Sequence, residues 1–375
     1  MLNADVVVVG AGMAGASAAY EIAASARVIL IEREAMPGYH STGRSAALFT
    51  EAYGNRVVRA LTVASRAFYE APPDGFTDHD MLSPRGALFI GPIDQLPLVE
   101  KHFRDTRELV ASITWVDGAE ARRIVPALRE DYVVGGVHEP DAMDIDVNAL
   151  HQGYLRGLKA RGGRLITDAE LLALTRQNNI WRLETKAGGI EAPIVVNAAG
   201  AWCDEVARLA GAKPVGLVPK RRTAMIFDGP VGSGFERWPL VADVAETWYI
   251  KPESGRLFGS PADETPVPPC DVQPEEIDIA TAAHHIEQAT TLKVGRLQRK
   301  WAGLRSFVAD KTLVAGFDDQ VEGFFWVAGQ GGYGIQTAPA MGALVAALVR
   351  GDGLPARVAS RGVTPADLSP KRLRG

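Results

Sequence analysis

The sequence predicts an α/β protein in which one unit is a parallel sheet buried on both faces and a second unit is α+β. Three observations point there. Ala4 to Val9 is a short, continuous, valine-rich run of the kind found in a parallel sheet with both faces covered. Arg27 to Glu32 repeats that texture after an alanine-rich helical stretch from Met13 to Ala24, which makes a βαβ unit. Glycine-bearing turns before helices recur at Ala198 to Trp202 and at Gly329 to Gly334, so the first unit is expected to draw on three separate segments.

The remaining elements follow from pattern and punctuation. Arg56 to Tyr69 reads as a helix, Ala71 to Asp80 as a turn cluster and Gly86 to Ile90 as a strand, and 92–125 as two short helices around Ile113 to Val116. A helix from Val147 to Arg161, capped by Gly162-Gly163, leads into a strand from Arg164 to Thr167. Strands follow at Leu171 to Arg176, Trp181 to Thr185 and Ile194 to Asn197, then an amphipathic helix to Leu209. Beyond Val215, Arg222 to Phe227, Thr247 to Lys251 and Leu257 to Gly259 are β-type, Pro261 to Pro274 is loop, and Pro274 to Val294 is a helix. Trp301 to Phe307, Thr312 to Gly316 and Phe324 to Ala328 are strand-like, and Pro339 to Val349 is the last helix. The expected division is 1–85, 145–212 and 306–375 for the first unit, and 86–144 and 213–305 for the second.

Composition removes several function classes. The 375 residues correspond to two or three domains at ~150 residues each. A net charge of −5, with 23% charged and 47% hydrophobic residues, is ordinary globular composition. Lys220-Arg221-Arg222 is too short a basic cluster for a nucleic-acid surface. Cys203 and Cys270 cannot build a disulfide framework, and neither CxxC nor HExxH occurs, so a metal-free protein of a reducing, cytoplasmic compartment is expected. The apolar start imitates a signal peptide, but Asp5 precedes it and no Lys or Arg lies before Val6. No other stretch approaches the ~18 apolar residues of a membrane span, so a soluble protein is expected.

Gly10-Ala11-Gly12-Met13-Ala14-Gly15 fits GxGxxG between strand and helix. Gly10 permits the tight turn, Gly12 admits a pyrophosphate to the backbone, and Gly15 lets helix and strand approach. The N–H groups of Met13 and Ala14 open the helix, where anions are favoured. Glu32, 22 residues after Gly10, ends the second strand, where its carboxylate can accept both ribose hydroxyls of an adenosine. This is a Rossmann-type dinucleotide site; NAD and FAD share the fingerprint.

Five segments carry a more specific likeness: VVVVGAGMAGASAAYEIA at the N-terminus, HSTGRSAA after Glu32, VVNAAGAWCDEVARLAG from Val195, WAGLRSFVADKTLVAG from Trp301, and WVAGQGGYGIQTAPAMG from Trp326. Together they resemble the FAD-dependent D-amino acid oxidase (DAO) family, and within it the bacterial D-amino acid dehydrogenases that include D-arginine-oxidising members. The resemblance implies a glutathione-reductase-like FAD domain with an α+β substrate domain covering the flavin. It implies that Ser41, Thr42, Gly43, Arg44, Ser45 and Ala46 run beside the flavin and pyrophosphate. Arg33, Ala198, Ala199, Gly200 and Trp202 would lie toward the adenosine. Gly303 and the loop Gly329, Gly331, Gly332, Tyr333, Gly334, Ile335 and Gln336 would face the isoalloxazine. Neither cysteine matches a covalent attachment point, so FAD is expected to be non-covalent.

In such enzymes the flavin takes hydride from the Cα of an amine while the protein orients the substrate. Arg222 and Arg305 are flanked by apolar residues in strand-like segments, where a guanidinium is costly to bury unpaired, and Arg can hold a carboxylate bidentately. The resemblance places Tyr249 and Tyr53 against the substrate, with Tyr53-Gly54 as a candidate lid. Where D-arginine-oxidising relatives carry a carboxylate for the side chain and a polar residue near the flavin, this sequence has Ala87 and Leu48. With Phe49, Leu240 and Ala242 these suggest a small apolar pocket. The expected activity is oxidation of a neutral or hydrophobic D-amino acid, or related amine, to an imine that hydrolyses to a 2-oxo acid. Electrons would pass to a quinone, an electron carrier or O2, the last as in glycine and sarcosine oxidases. The alternative of another class is a non-catalytic flavoprotein acting as sensor or assembly partner.

Overall fold

A computed structural model describes residues 1–374. Val6–Val9 is the central strand of a six-stranded sheet whose order runs Arg164–Ile166, Val28–Ile31, Val6–Val9, Ile194–Asn197, Phe324–Ala328, Val314–Phe317. The first five are parallel and the last is antiparallel. The valine run has no polar alternation because both faces are covered. Val6 and Val8 pack into the helical core with Ala18 and Leu344, while Val7 and Val9 join Trp181, Leu183 and Ile190 of a four-stranded antiparallel-type sheet on the other side.

The helix Met13–Ile22 lies almost wholly buried between that sheet and the helices Val147–Ala160 and Ala338–Arg350. Three missing side chains make the approach possible. A Cβ at Gly15 would sit 1.8 Å from the Gly10 carbonyl oxygen, one at Gly342 2.8 Å from that of Ser17, and one at Gly157 2.3 Å from the Tyr20 ring.

The second large sheet is built mainly from 87–139 and 218–307. Its path runs Thr265–Pro266, Val218–Phe227, Arg256–Ser260, Tyr249–Glu253, Leu240–Asp243, Ala87–Gly91, Gly135–Glu139, Thr114–Asp117, and Leu297–Phe307 pairs with Val218–Phe227. Period-2 alternation divides its faces. Met225, Phe227, Val241, Ile250 and Leu257 pack with Ile279, Ala282 and Ile286 of the helix Glu276–Ala289. Ala224, Leu240, Tyr249 and Phe258 form a separate apolar cluster on the opposite face. A third sheet joins Leu48–Phe49, Met143–Ile145 and Leu82–Pro84.

Several expectations need adjustment. In 92–125 the two expected helices are Leu96–Arg107 and Gly118–Ile124, and the segment between them includes a strand, Thr114–Asp117. Val116 is buried against Gly136 of Gly135–Glu139, a pairing that local pattern does not reveal. The expected boundary at 305/306 falls inside the strand Leu297–Phe307, so a continuous β-ladder carries the chain across it.

The Gly15 contact is with backbone, which cannot swing aside. Gly15→Ala is expected to lower stability by about 1–3 kcal/mol or more, read as a fall in Tm. Gly353→Ala, where nothing lies within 4 Å, is the control expected to leave Tm unchanged.

Candidate active site

A cleft opens at the carboxyl ends of the parallel strands, where open α/β sheets place their ligands. Gly10, Gly12, Met13 and Ala14 form its floor, Glu32, Arg33, Ala199, Gly200 and Trp202 line one end, and Gly331, Gly332, Gly334 and Ile335 the other. Gly10 has φ +99°, which suits glycine. Glu32 is buried and its carboxylate accepts from Ala11 N–H at 2.8 Å and Glu34 N–H at 3.1 Å, which fixes it at the rim. His151 reaches from the helix Val147–Ala160 to bond the Ala11 carbonyl through Nε2 at 2.9 Å. Arg33 lies over the Trp202 ring, 4.9 Å from its centroid, and is paired with Glu170 at 2.8 Å.

The loop Ser41–Ala46 lines the cleft and ties the two sheets together. Thr42 Oγ1 accepts from the Met13 N–H at 2.9 Å, and Ser41 Oγ donates to the Leu304 carbonyl at 2.7 Å. Arg44 donates to the Ala302 carbonyl at 3.1 Å and pairs with Asp271, so its charge is used within the protein. Gly303 lies on the cleft wall opposite Arg44.

Ser45, Ala46, Arg222, Tyr249, Arg305, Gly332 and Ile335 also border a second cavity of about 760 Å³. Arg305 Nη1 donates to the Tyr53 hydroxyl at 3.1 Å, and among the described residues no carboxylate lies within ion-pair distance of Arg305. Arg222 is differently placed. Its Nε donates to the Asp263 carbonyl at 2.8 Å, while Nη2 lies 3.7 Å from Glu264, which also serves Lys220 and Lys311, and is buried without a hydrogen bond. The Tyr53 ring packs on Tyr333, with centroids 5.0 Å apart. Burial pushes both phenols up, so both remain neutral hydroxyls at physiological pH. Tyr249 stacks on Phe258 at 5.6 Å. A Cβ at Gly332 would come within 2.9 Å of Arg305 Nη1 and 3.2 Å of the Tyr53 hydroxyl, so glycine there leaves the pair room.

Leu48, Leu240 and Ala242 line this second cavity; Ala87 lines neither, and Phe49, fully buried against Tyr69, lines neither as well. Ala87 is fully buried and sits one strand further away, paired with Leu240 on one side and Glu139 on the other. Gly15 also lines neither cavity and acts through packing, whereas Gln336 borders the second cavity with its amide bonded to Thr62 Oγ1 at 2.8 Å. Sequence reasoning missed Phe258, His151 and Glu139. Glu139 is wholly buried and accepts from the Thr50 hydroxyl at 2.6 Å and the Glu51 N–H at 2.9 Å, which anchors the segment leading to Tyr53. A carboxylate, Glu246, also borders the second cavity on a turn at φ +57°.

The cleft and cavity fit a dinucleotide-flavin protein. The first-turn N–H groups of Met13–Ile22 lack intrahelical acceptors, Gly12 brings no side chain to them, and glycine backbone lines the far end. The chain belongs to the FAD-dependent oxidoreductases of the DAO family, which match residues 5–348. Its cofactor is therefore FAD. FAD-dependent oxidoreductase domain-containing protein 1 of Xenopus laevis is 24% identical over 403 residues, spanning 92% of this chain and 79% of that protein. The fold is similar to L-proline dehydrogenase from P. horikoshii, with TM-score 0.85 and 22% identity over 100% of this chain and 98% of that one. It is also similar to glycine oxidase from Geobacillus kaustophilus, with TM-score 0.81 and 23% identity over 94% of this chain and 96% of that one.

Burial raises the Glu139 carboxyl to about 7, from an ordinary value of 4.5. The native state then binds the extra proton between those values, so this group's contribution to stability is present below about 4.5 and is lost as pH rises toward about 7. Glu139→Gln is expected to flatten that part of the Tm-versus-pH curve. Glu139→Ala should cost about 1–3 kcal/mol by leaving the Thr50 hydroxyl or Glu51 N–H without its partner.

Proposed function

We propose that the protein oxidises the CH–NH bond of an α-amino acid, or of an N-substituted relative, whose carboxylate is held by Arg305. The observation that carries this reading is Arg305 itself: a half-buried guanidinium on the wall shared by the two cavities, bonded to one tyrosine hydroxyl and, among the described residues, to no acid. A cation partly withdrawn from water without an acid beside it is destabilising, and a bound carboxylate would complete it with charge-assisted, bidentate hydrogen bonds. Tyr53 and Tyr249 add a hydroxyl and an aromatic wall. Arg222 supports the same anion through the field of its partly compensated charge.

Bound FAD supplies the hydride acceptor for the Cα–H bond. The chain's own contribution is orientation and exclusion of water. Leu48, Leu240 and Ala242 give the substrate chain an apolar wall, which supports a neutral or hydrophobic group next to Cα. We assign the D enantiomer, following the resemblance of the STGRSAA and GGYGIQTAP segments. The flavin is taken to be non-covalent: Cys203 is buried away from the cleft, and the His40 ring nitrogen Nε2 is engaged by Glu34 at 2.9 Å.

The test is anaerobic mixing of the FAD-loaded protein with D- and L-amino acids and N-methylglycine, following the flavin absorbance near ~450 nm. Bleaching by neutral D-amino acids, with Arg305→Met losing about 10²–10³-fold in the second-order reduction rate, is the expected result. An unchanged rate in Arg305→Met would remove the clamp, and no bleaching by any of the panel would remove the amino-acid assignment. Readmitting O2 then reads the acceptor: rapid return of colour marks an oxidase and slow return a dehydrogenase.

A further inference from the structure

The second cavity is also bordered by another pair of basic side chains. Arg59, in the helix Arg56–Glu70, and His102, in the helix Leu96–Arg107, both border it. Arg59 Nη1 donates to the Asp105 backbone carbonyl at 3.1 Å, and its Nε is buried without a partner. Among the described residues no carboxylate stands within ion-pair distance of this guanidinium. His102 Nε2 is likewise buried without a partner, and its ring packs against Phe89 with centroids 4.6 Å apart. Burial depresses the imidazole to about 4, and the Arg59 charge adds to the effect, so the two groups are neighbours and His102 is neutral near pH 7.

The acids bordering the cavity are mostly engaged elsewhere. Asp105 is bonded to Lys101, Asp310 to Arg372, and Asp243 to Thr247 and Tyr132. Glu246 forms no ion pair among the described residues, but its charge acts on Tyr53, Arg305 and Tyr333, whereas only Asp105 acts on Arg59. The cavity is therefore bordered by two guanidiniums, Arg305 and Arg59, that have no carboxylate within ion-pair distance among the described residues, and by the apolar side chains of Leu48, Phe89, Leu240 and Ala242.

Buried donors without acceptors are costly, and a site that leaves them open is arranged for a ligand that closes them. We propose that Arg59 and His102 form a second carboxylate site, so that the preferred substrate is an amino acid, or an N-substituted one, bearing an acid at the end of an apolar chain. This rests on the reading of Arg305 as the clamp for the first carboxylate, and extends that reading within the same cavity.

The test uses the FAD-loaded protein and reads perturbation of the flavin spectrum on titration, with no turnover required. The probes are straight-chain monocarboxylates, dicarboxylates and ω-ammonium carboxylates of four to seven carbons. At the best chain length the dicarboxylate is expected to bind at least ~10-fold more tightly than the monocarboxylate, as a charge-assisted contact would give. Arg59→Gln should abolish that advantage and Arg59→Lys should retain part of it, with flavin content and Tm of each variant confirming folding. Equal binding of mono- and dicarboxylates, in the unmodified protein, overturns the second site and leaves the Arg305 clamp standing. Tighter binding of the ω-ammonium compounds overturns it in favour of an acidic partner for the far end of the ligand. Failure of every carboxylate to perturb the flavin removes the Arg305 clamp, and the second site with it.

Discussion

The cleft depends on how closely the helix Met13–Ile22 can be brought to its neighbours. Its N-terminus is useful only if it lies directly over the turn at Gly10, and a single methyl at Gly15 would overlap the Gly10 carbonyl. The same helix is approached by Ala338–Arg350 at Gly342 and by Val147–Ala160 at Gly157. Close approach of the latter helix lets His151 bond the Ala11 carbonyl, while Glu32 takes the Ala11 N–H. Packing density in the core thus sets the position of a backbone turn and of the carboxylate beside it.

The second sheet solves a different problem, that of holding cations beside a cavity. In Lys220-Arg221-Arg222 the strand alternation sends neighbouring guanidiniums to different environments. Arg221 is paired with Asp278 and Glu275, on and beside the covering helix, whereas Arg222 borders both cavities and, among the described residues, has a single carboxylate within ion-pair distance, Glu264 at 3.7 Å. Arg305, on the adjacent strand, has no acid within ion-pair distance among the described residues. The fold tolerates this because Tyr53 and the glycine at 332 frame the guanidinium, and the remaining cost is offset when a carboxylate arrives.

Much of this was legible because it is local. The GxGxxG turn, the Glu32 spacing and the unbroken valine run need only neighbouring residues, and the alternation around Arg222, Tyr249 and Arg305 can be read along single strands. Long-range pairings were not. His151 lies 140 residues from Ala11, and Gly135–Glu139 has two glycines and no strand signature until Ala87–Gly91 is placed beside it. Ala87 shows the hazard of carrying a position across from relatives: the residue is in the sheet as expected, but behind Leu240 instead of on the cavity wall. Arg59 and His102 carry no motif, and their lack of partners becomes visible only when two helices are packed together.

The account turns on Arg305 being left for a substrate carboxylate. The direct measurement is a crystal structure of the FAD-loaded protein with a slowly reacting or inert amino-acid carboxylate bound. The account predicts that carboxylate on the Arg305 guanidinium, with the Tyr53 hydroxyl in reach. A carboxylate held elsewhere in the cavity, with Arg305 still bonded to Tyr53 alone, would contradict it.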